Sequence, residues 1–354
     1  MYSLGSNVRL HLFGKSHGKH VGCILENVPK GLPISYEEIK KEMELRKPKD
    51  GIGTPRKEDD NVNIMSGICD GITDGQPIMI LIANKNTDSS KYNELMNIPR
   101  PGHADLPAMI RWKDHDVRGG GQFSGRLTAP IVAAGSIAKQ VLPSEIRIGA
   151  FTRSVGCIED TDERDINDAC SSRRYGTRAC SSELDKMMTD EIKSASAEMD
   201  SVGGTVECIV TGLPIGSGGI WFDSLDAVLA KAIFGIPAVK GIEFGKGFRS
   251  SKMKGSESND QYCIDNGIKA MSNNMGGIVG GMSNGMPLVF RTAFKPTPSI
   301  AKEQRSVDLS KMKDTFISVT GRHDPCIVPR AVSVVEAVTA LVIADVLINT
   351  EMIK

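Results

Sequence analysis

The chain has 354 residues, 40% of them hydrophobic, and its 43 Lys plus Arg balance 43 Asp plus Glu to a formal net charge of zero. A general nucleic-acid or membrane-surface binder carries a basic excess, which is absent here, and an aromatic content of 5% leaves little for base stacking. The length admits one large domain or two to three average ones, and 37 glycines call for many tight turns.

In chain order, the stretch Met1 to Gly14 lacks the apolar core of a secretion signal, which points to a cytoplasmic protein. A strand-like run from Val8 to Phe13 leads into Gly14-Lys15-Ser16-His17-Gly18. A second run, Gly22 to Leu25, precedes a helix-like segment from Tyr36 to Leu45. Basic residues then cluster at Arg46, Lys47, Lys49, Arg56 and Lys57, either as a solvated face or as a match for an anionic substrate. A strand-like run from Pro77 to Ala83 is followed by Arg100-Pro101-Gly102-His103-Ala104-Asp105. There Asp105 either orients His103 or caps the next helix.

Gly119-Gly120-Gly121-Gln122-Phe123-Ser124-Gly125-Arg126 comes before a small-apolar helix from Ala129 to Leu142. Consecutive glycines ahead of a helix start suit close approach of a ligand, and backbone amides there favour anions. Phe151 to Ser201 is poor in motifs and reads as an insertion with a helix near Glu183 to Met199, Ser182 and Asp185 being spaced as a capping box. Strand-like runs follow at Thr205 to Thr211 and Leu288 to Ala293, with a helix-like run at Ser224 to Phe234. Lys295-Pro296-Thr297-Pro298-Ser299 combines a cation, hydroxyls and rigid turns that could hold a phosphate. Gly321-Arg322-His323-Asp324-Pro325 opens the last helix, Arg330 to Ile348. Val328 to Ile348 is the best membrane-span candidate, yet it carries Arg330, Glu336 and Asp345 and reads better as a buried helix.

The chain repeats itself weakly. Ser66 to Ile78 matches Gly276 to Leu288 without a gap, both matches running on to a lysine, Lys85 or Lys295. Cys23 to Pro29 parallels Cys208 to Pro214. The expectation is a single domain over 1–354 with pseudo-symmetric halves at about 1–145 and 202–354 and an insertion at about 150–201. Strict β-α-β alternation is missing, so an α+β arrangement is favoured over a doubly wound sheet.

Half of the six histidines sit in glycine- or proline-rich loops. Such loops hold polar groups out of the core and carry chemistry on a rigid scaffold, and the free imidazole titrates nearest neutrality. Gly14 to Gly18 formally fits the G-x-S-x-G nucleophile elbow, so a serine hydrolase is the alternative reading; an elbow should, however, lead into a helix rather than another strand-like run. The Arg322 neighbour favours an ionised Asp324, ready to take a proton. None of the eight cysteines forms a C-x-x-C pair, so they read as reduced, mostly buried thiols, with no metal framework expected.

Taken together and in this order, these motifs resemble the chorismate synthase family from end to end. The resemblance implies a β-α-β sandwich with helices between two antiparallel sheets, and a homotetramer. It implies a lyase that removes phosphate and a ring hydrogen from 5-enolpyruvylshikimate 3-phosphate to give chorismate, in aromatic amino acid biosynthesis. It further implies reduced FMN as cofactor, supplied either by NADPH at the enzyme or by an external flavin reductase. Carried over by motif, His17 serves the leaving phosphate as proton donor, His103 sets the protonation of reduced flavin near N1, and Asp324 accepts a proton from flavin N5. The flavin contacts fall on Gln122, Phe123, Ser124, Ala238, Gly280, Lys295, Pro296, Thr297, Pro298, Ser299 and Arg322. Arg46, Arg126 and Arg330 match positions for substrate or NADP anions. The chain departs from the family pattern at Lys15, where Glu is usual, at Gln122 and Phe123, and at Ile52, where a basic residue is usual.

Overall fold

The computed structural model describes residues 1–47, 49, 52–53, 59–85, 96–112, 115–265, 267–319 and 324–349. The chain opens with strands β1 (Tyr2–Leu4), β2 (Arg9–Gly14) and β3 (His20–Glu26), then helix α1 (Tyr36–Arg46). β4 (Val62–Ser66), a small hairpin of β5 (Ile68–Cys69) and β6 (Ile72–Thr73), and β7 (Ile78–Ala83) follow. Next come α2 (Asp105–Arg111), α3 (Thr128–Val141), β8 (Arg147–Val155), β9 (Ile158–Glu159), α4 (Ile166–Ser171) and α5 (Ser182–Ala197). β10 (Gly204–Thr211), α6 (Leu225–Ile233), β11 (Val239–Phe244), α7 (Gly255–Ser258) and the hairpin of β12 (Tyr262–Ile264) and β13 (Ile268–Ala270) come after. The chain continues with the hairpin of β14 (Ile278–Val279) and β15 (Met282–Ser283), β16 (Leu288–Phe294), the hairpin of β17 (Gln304–Asp308) and β18 (Lys313–Ile317), and α8 (Val328–Asn349).

Two five-stranded antiparallel sheets form, in the orders β1-β2-β3-β7-β4 and β11-β16-β10-β8-β9. Helix α3 packs on β3 and β7, α8 packs on β8 and β10, and α3 and α8 pack on each other, so the helices are layered between the sheets in an α+β fold. The contact is close because the facing residues are small: a Cβ added to Gly135 would lie 2.4 Å from Ala337 Cβ. Although α8 is long and apolar enough to span a membrane, it is buried along most of its length as the central core helix. Its far end is tied to the N-terminal turn, where the Asp345 carboxylate accepts from the amides of Ser6, Asn7 and Val8.

The same bonding pattern recurs in the two halves. β3 pairs with β7 with Cys23 opposite Ile80, and β10 pairs with β16 with Cys208 opposite Phe290. Leu32 N donates to Thr73 Oγ1 at 2.9 Å, and that hydroxyl donates to Pro29 O; Ser217 N donates to Ser283 Oγ at 2.9 Å, and that hydroxyl donates to Pro214 O. Isolated bridges join Pro33 to Ile72 and Gly218 to Met282. β8 runs to Val155 inside the second sheet, so the first residues of the segment read as an insertion belong to that sheet. Within it, α5 is capped one residue earlier than its sequence suggests: Ser181 Oγ accepts from Leu184 N at 3.2 Å. The Asp185 carboxylate turns back to accept from the amide and hydroxyl of Thr177.

Candidate active site

A cleft of about 1380 Å³ opens where α1 ends and α3 and α8 begin, and it is lined from both halves. The first turns of α3 and α8 face it, and the positive ends of two helix dipoles favour anions there. Its described lining holds ten lysines and arginines against four aspartates and glutamates, although the chain as a whole is neutral. Charge has been sorted to one place, which raises the local concentration of anionic ligands.

Part of one wall comes from the triple-glycine run, through Gly119. Gly119, Gly120 and Gly121 have φ of 57°, 80° and 53°, a left-handed conformation that side chains resist. The space beside them is also taken. A Cβ on Gly119 would come within 2.6 Å of the His17 ring, one on Gly120 within 3.3 Å of His103 Nε2, and one on Gly121 within 2.4 Å of Asp116 O. Only glycine lets this backbone pass between two histidines. The His17 turn is fixed to it from the other side, Ser16 N donating to Gly121 O at 3.2 Å.

His103 is oriented by a buried carboxylate. Its Nδ1 lies 2.6 Å from Asp105 Oδ1, and Arg100 Nε and Nη2 reach Asp105 Oδ2 and Oδ1 at 2.6 and 2.9 Å. Burial pushes the Asp105 carboxyl up, but the bonds from Arg100 and His103 outweigh it and hold the group well below the usual carboxylate range. With a carboxylate at Nδ1, the ring proton belongs on that nitrogen and Nε2 is turned toward Gly120 and the cleft. Asp105 thus orients His103 although it is also the first residue of α2; the capping position, Ala104, offers no side-chain bond.

A second buried carboxylate organises the cationic floor. Arg46 Nη1 donates to Asp60 Oδ2 at 2.9 Å, and Arg126 Nη1 donates to Asp60 Oδ1. Arg46 also reaches Thr128 Oγ1 and Gly125 O, while Arg126 reaches Asn84 Oδ1 and Ala83 O. Burial, reinforced by Arg330 and Arg126 and opposed by Asp60, brings the Arg46 guanidinium down to about 9. Next to Arg46, whose carbonyl accepts from Arg330 Nε at 3.4 Å, Arg330 Nη1 donates to Asp324 Oδ2, and Thr297 Oγ1 donates to Asp324 O at 2.6 Å. Lys295 Nζ donates to Gly102 O; burial and then Lys240 lower its pKa.

Thirteen of the residues singled out from sequence line this cleft: His103, Asp324, Gln122, Phe123, Ser124, Ala238, Lys295, Thr297, Pro298, Ser299, Arg46, Arg126 and Arg330. His17 stands directly behind Gly119. Pro296 turns away and packs beside Gly203. Gly280 is not brought to the cleft. It is an exposed tip residue of the β14–β15 hairpin, which bonds to the start of α6 through Leu225 N and Gly281 O, whereas the cleft takes residues following the end of that helix. Gly321, Arg322, His323, Arg56 and Lys57 lie outside the described residues.

Sequence reasoning missed Asp60, Asn84, Arg173, Arg178 and the Phe234–Pro237 turn. Asp60 sits in a charged run that resembles a solvated surface, and Arg173 and Arg178 lie in the motif-poor segment. Their only signal was charge. The serine hydrolase reading is not supported: Gly14 to Gly18 turns from β2 into antiparallel β3 rather than into a helix, and the buried Ser16 hydroxyl finds no base among the described residues.

A family model described as chorismate synthase matches residues 8–348. The chain belongs to the chorismate synthase family. A Thermococcus gammatolerans protein named chorismate synthase is 46% identical over 349 residues, covering 98% of this chain and 97% of the relative. One from Pyrococcus abyssi is 48% identical over 337 residues, covering 94% of each, and one from Dehalococcoides mccartyi is 45% identical over 357 residues, covering 99% and 98%. A crystal structure of chorismate synthase matches with a TM-score of 0.77 at 30% identity, covering 98% of this chain and 93% of that one. The chain is therefore a lyase of the shikimate pathway that eliminates phosphate from 5-enolpyruvylshikimate 3-phosphate to give chorismate, and the family requires a reduced flavin. The cleft fits such a group: it has room for a flavin beside a small polyanion, and a surplus of cations.

Proposed function

We propose that this cleft holds reduced FMN and the enolpyruvyl substrate together and that His17, His103 and Asp324 manage the protons of the elimination. The observation that carries the proposal is the convergence on one cationic cleft of three separately anchored groups: His103 on Asp105, Arg46 and Arg126 on Asp60, and Asp324 on Arg330. Gln122, Phe123, Ser124, Ala238, Lys295, Thr297, Pro298 and Ser299 would hold the flavin, with Arg322 expected on resemblance alone; Pro296 and Gly280, which the resemblance also implies, lie outside this cleft. When bound, the reduced flavin supplies electron density that helps phosphate depart and recovers it as the ring hydrogen leaves.

The protein's own task is positioning, charge stabilisation and proton transfer. Arg46, Arg126 and Arg330 bind the substrate's phosphate and carboxylates, using donors already aimed by Asp60, Asn84 and Asp324. His17 gives a proton to the departing phosphate at the edge of the glycine wall. His103, locked at Nδ1, holds or yields a proton at Nε2. Asp324 accepts a proton, its backbone fixed by Thr297 and its carboxylate turned by Arg330. We also propose a homotetrameric, cytoplasmic enzyme built from two related halves. Its flavin is reduced by NADPH at the enzyme or by an external reductase.

The deciding experiment is anaerobic incubation of the enzyme with 5-enolpyruvylshikimate 3-phosphate, with and without reduced FMN. Phosphate and chorismate should appear together, and only with reduced FMN. Equal phosphate release without flavin would overturn this reading.

A further inference from the structure

Asn84 follows β7 directly and has no place in the motifs above, yet its side chain joins two parts of the site. The amide nitrogen donates to Gly18 O at 2.8 Å and to Lys15 O at 3.1 Å, the two carbonyls that flank Ser16 and His17. The amide oxygen accepts from Arg126 Nε at 2.8 Å. Its backbone N–H donates to Lys19 O at 3.0 Å, so the residue grips the whole turn. Both amide hydrogens and the carbonyl oxygen are engaged, which fixes the amide's orientation without ambiguity. Within the turn, Gly18 N donates to Lys15 O at 3.0 Å, and Ser16 N donates to Gly121 O at 3.2 Å.

We infer that Asn84 is a positioning residue for the elimination, setting the His17 turn at a fixed distance from the Arg126 guanidinium. The inference rests on the role proposed above for His17. Its physical basis is that phosphate must be held by the arginine and protonated by the imidazole at the same moment, and a misplacement of about 1 Å can cost about a hundredfold in rate. Asparagine suits this task where aspartate does not. Aspartate would still accept from Arg126, but it would face two carbonyl oxygens with a third acceptor and push the turn away.

That difference separates the two arms. Asn84→Asp should keep the substrate KM within about threefold of the parent and lower kcat by about thirtyfold, because binding through Arg126 survives and proton delivery does not. Asn84→Ala should raise KM and lower kcat together. In a His17→Ala background, Asn84→Asp should cost no more than about threefold further, since residues acting as one unit are not additive. Thermal midpoints and FMN titrations on each variant report whether fold and cofactor binding persist. A full thirtyfold loss in the His17→Ala background, or parental kcat in Asn84→Asp, would overturn the role of Asn84 alone. Parental activity in His17→Ala itself would overturn both roles.

Discussion

The two halves of this molecule use one backbone plan for different ends. In each, a central strand pair holds the same register and a hydroxyl, Thr73 or Ser283, ties the loop below it. They part company where the strands end. The first half joins β2 to β3 by a five-residue turn, 15–19, that carries His17, and after β7 it places Asn84. The second half joins β8 to β10 through the long segment with α4 and α5, which sends Arg173 and Arg178 into the cleft, and after β16 it places Lys295. Interior backbone bonding tolerates duplication because any sequence of the right pattern satisfies it. Chemistry sits in the connections, which are free to differ.

The largest effects should come from removing one proton-handling group on each side of this comparison. His17→Ala in the first half and Asp324→Asn in the second should each cut turnover by about a hundredfold or more, the usual scale of acid–base loss. Steady-state rates with reduced FMN in excess measure this directly. A large loss in one and parental activity in the other would show that a single half carries the proton chemistry.

Asp60→Asn comes next. The change leaves Arg46 and Arg126 buried without their shared counter-charge, and breaking a buried pair in this way costs about 3–5 kcal/mol. The thermal midpoint should drop, and substrate KM should rise about tenfold as the two guanidinium groups lose their common anchor. Added inorganic phosphate should recover part of the lost midpoint, because an anion between the arginines restores the missing charge and stabilises the folded state by mass action. A midpoint unchanged from the parent would mean that Asp60 does not organise this floor.

Much of this was legible from sequence. Periodicity places α1, α3, α6 and α8 and the central strands within a residue or two, since apolar spacing and flanking turns act locally. The order of the glycine- and histidine-bearing loops pointed to one cleft. What stayed hidden depends on partners distant along the chain. Asp60 and Asn84 are ordinary surface residue types, and their roles appear only when Arg126 folds back to within bonding distance of both. The shift of the α5 cap from Ser182 to Ser181 is the same lesson in miniature, because Asp185 is drawn off by Thr177 from outside the helix. The likeness of Ser66 to Ile78 and Gly276 to Leu288 was visible, but not that Thr73 and Ser283 would make the same bonds.

Those two hydroxyls give the smallest and most direct test of the comparison. Each is buried and takes an amide from one loop residue while donating to a proline carbonyl. Thr73→Val keeps the side-chain shape and removes the acceptor of Leu32 N, which should cost about 2 kcal/mol as a buried amide loses its partner. Ser283→Ala should cost less, about 1 kcal/mol, because Ser217 N also lies 3.2 Å from Pro214 O and keeps that bond. Denaturant unfolding of the two variants, read at constant slope, gives both values. The turnover number should stay parental in each, since neither residue reaches the cleft. Equal and negligible costs would mean that the shared pattern is geometry without energetic weight; the reverse order would mean that the second knot carries more of the fold than its bonds indicate.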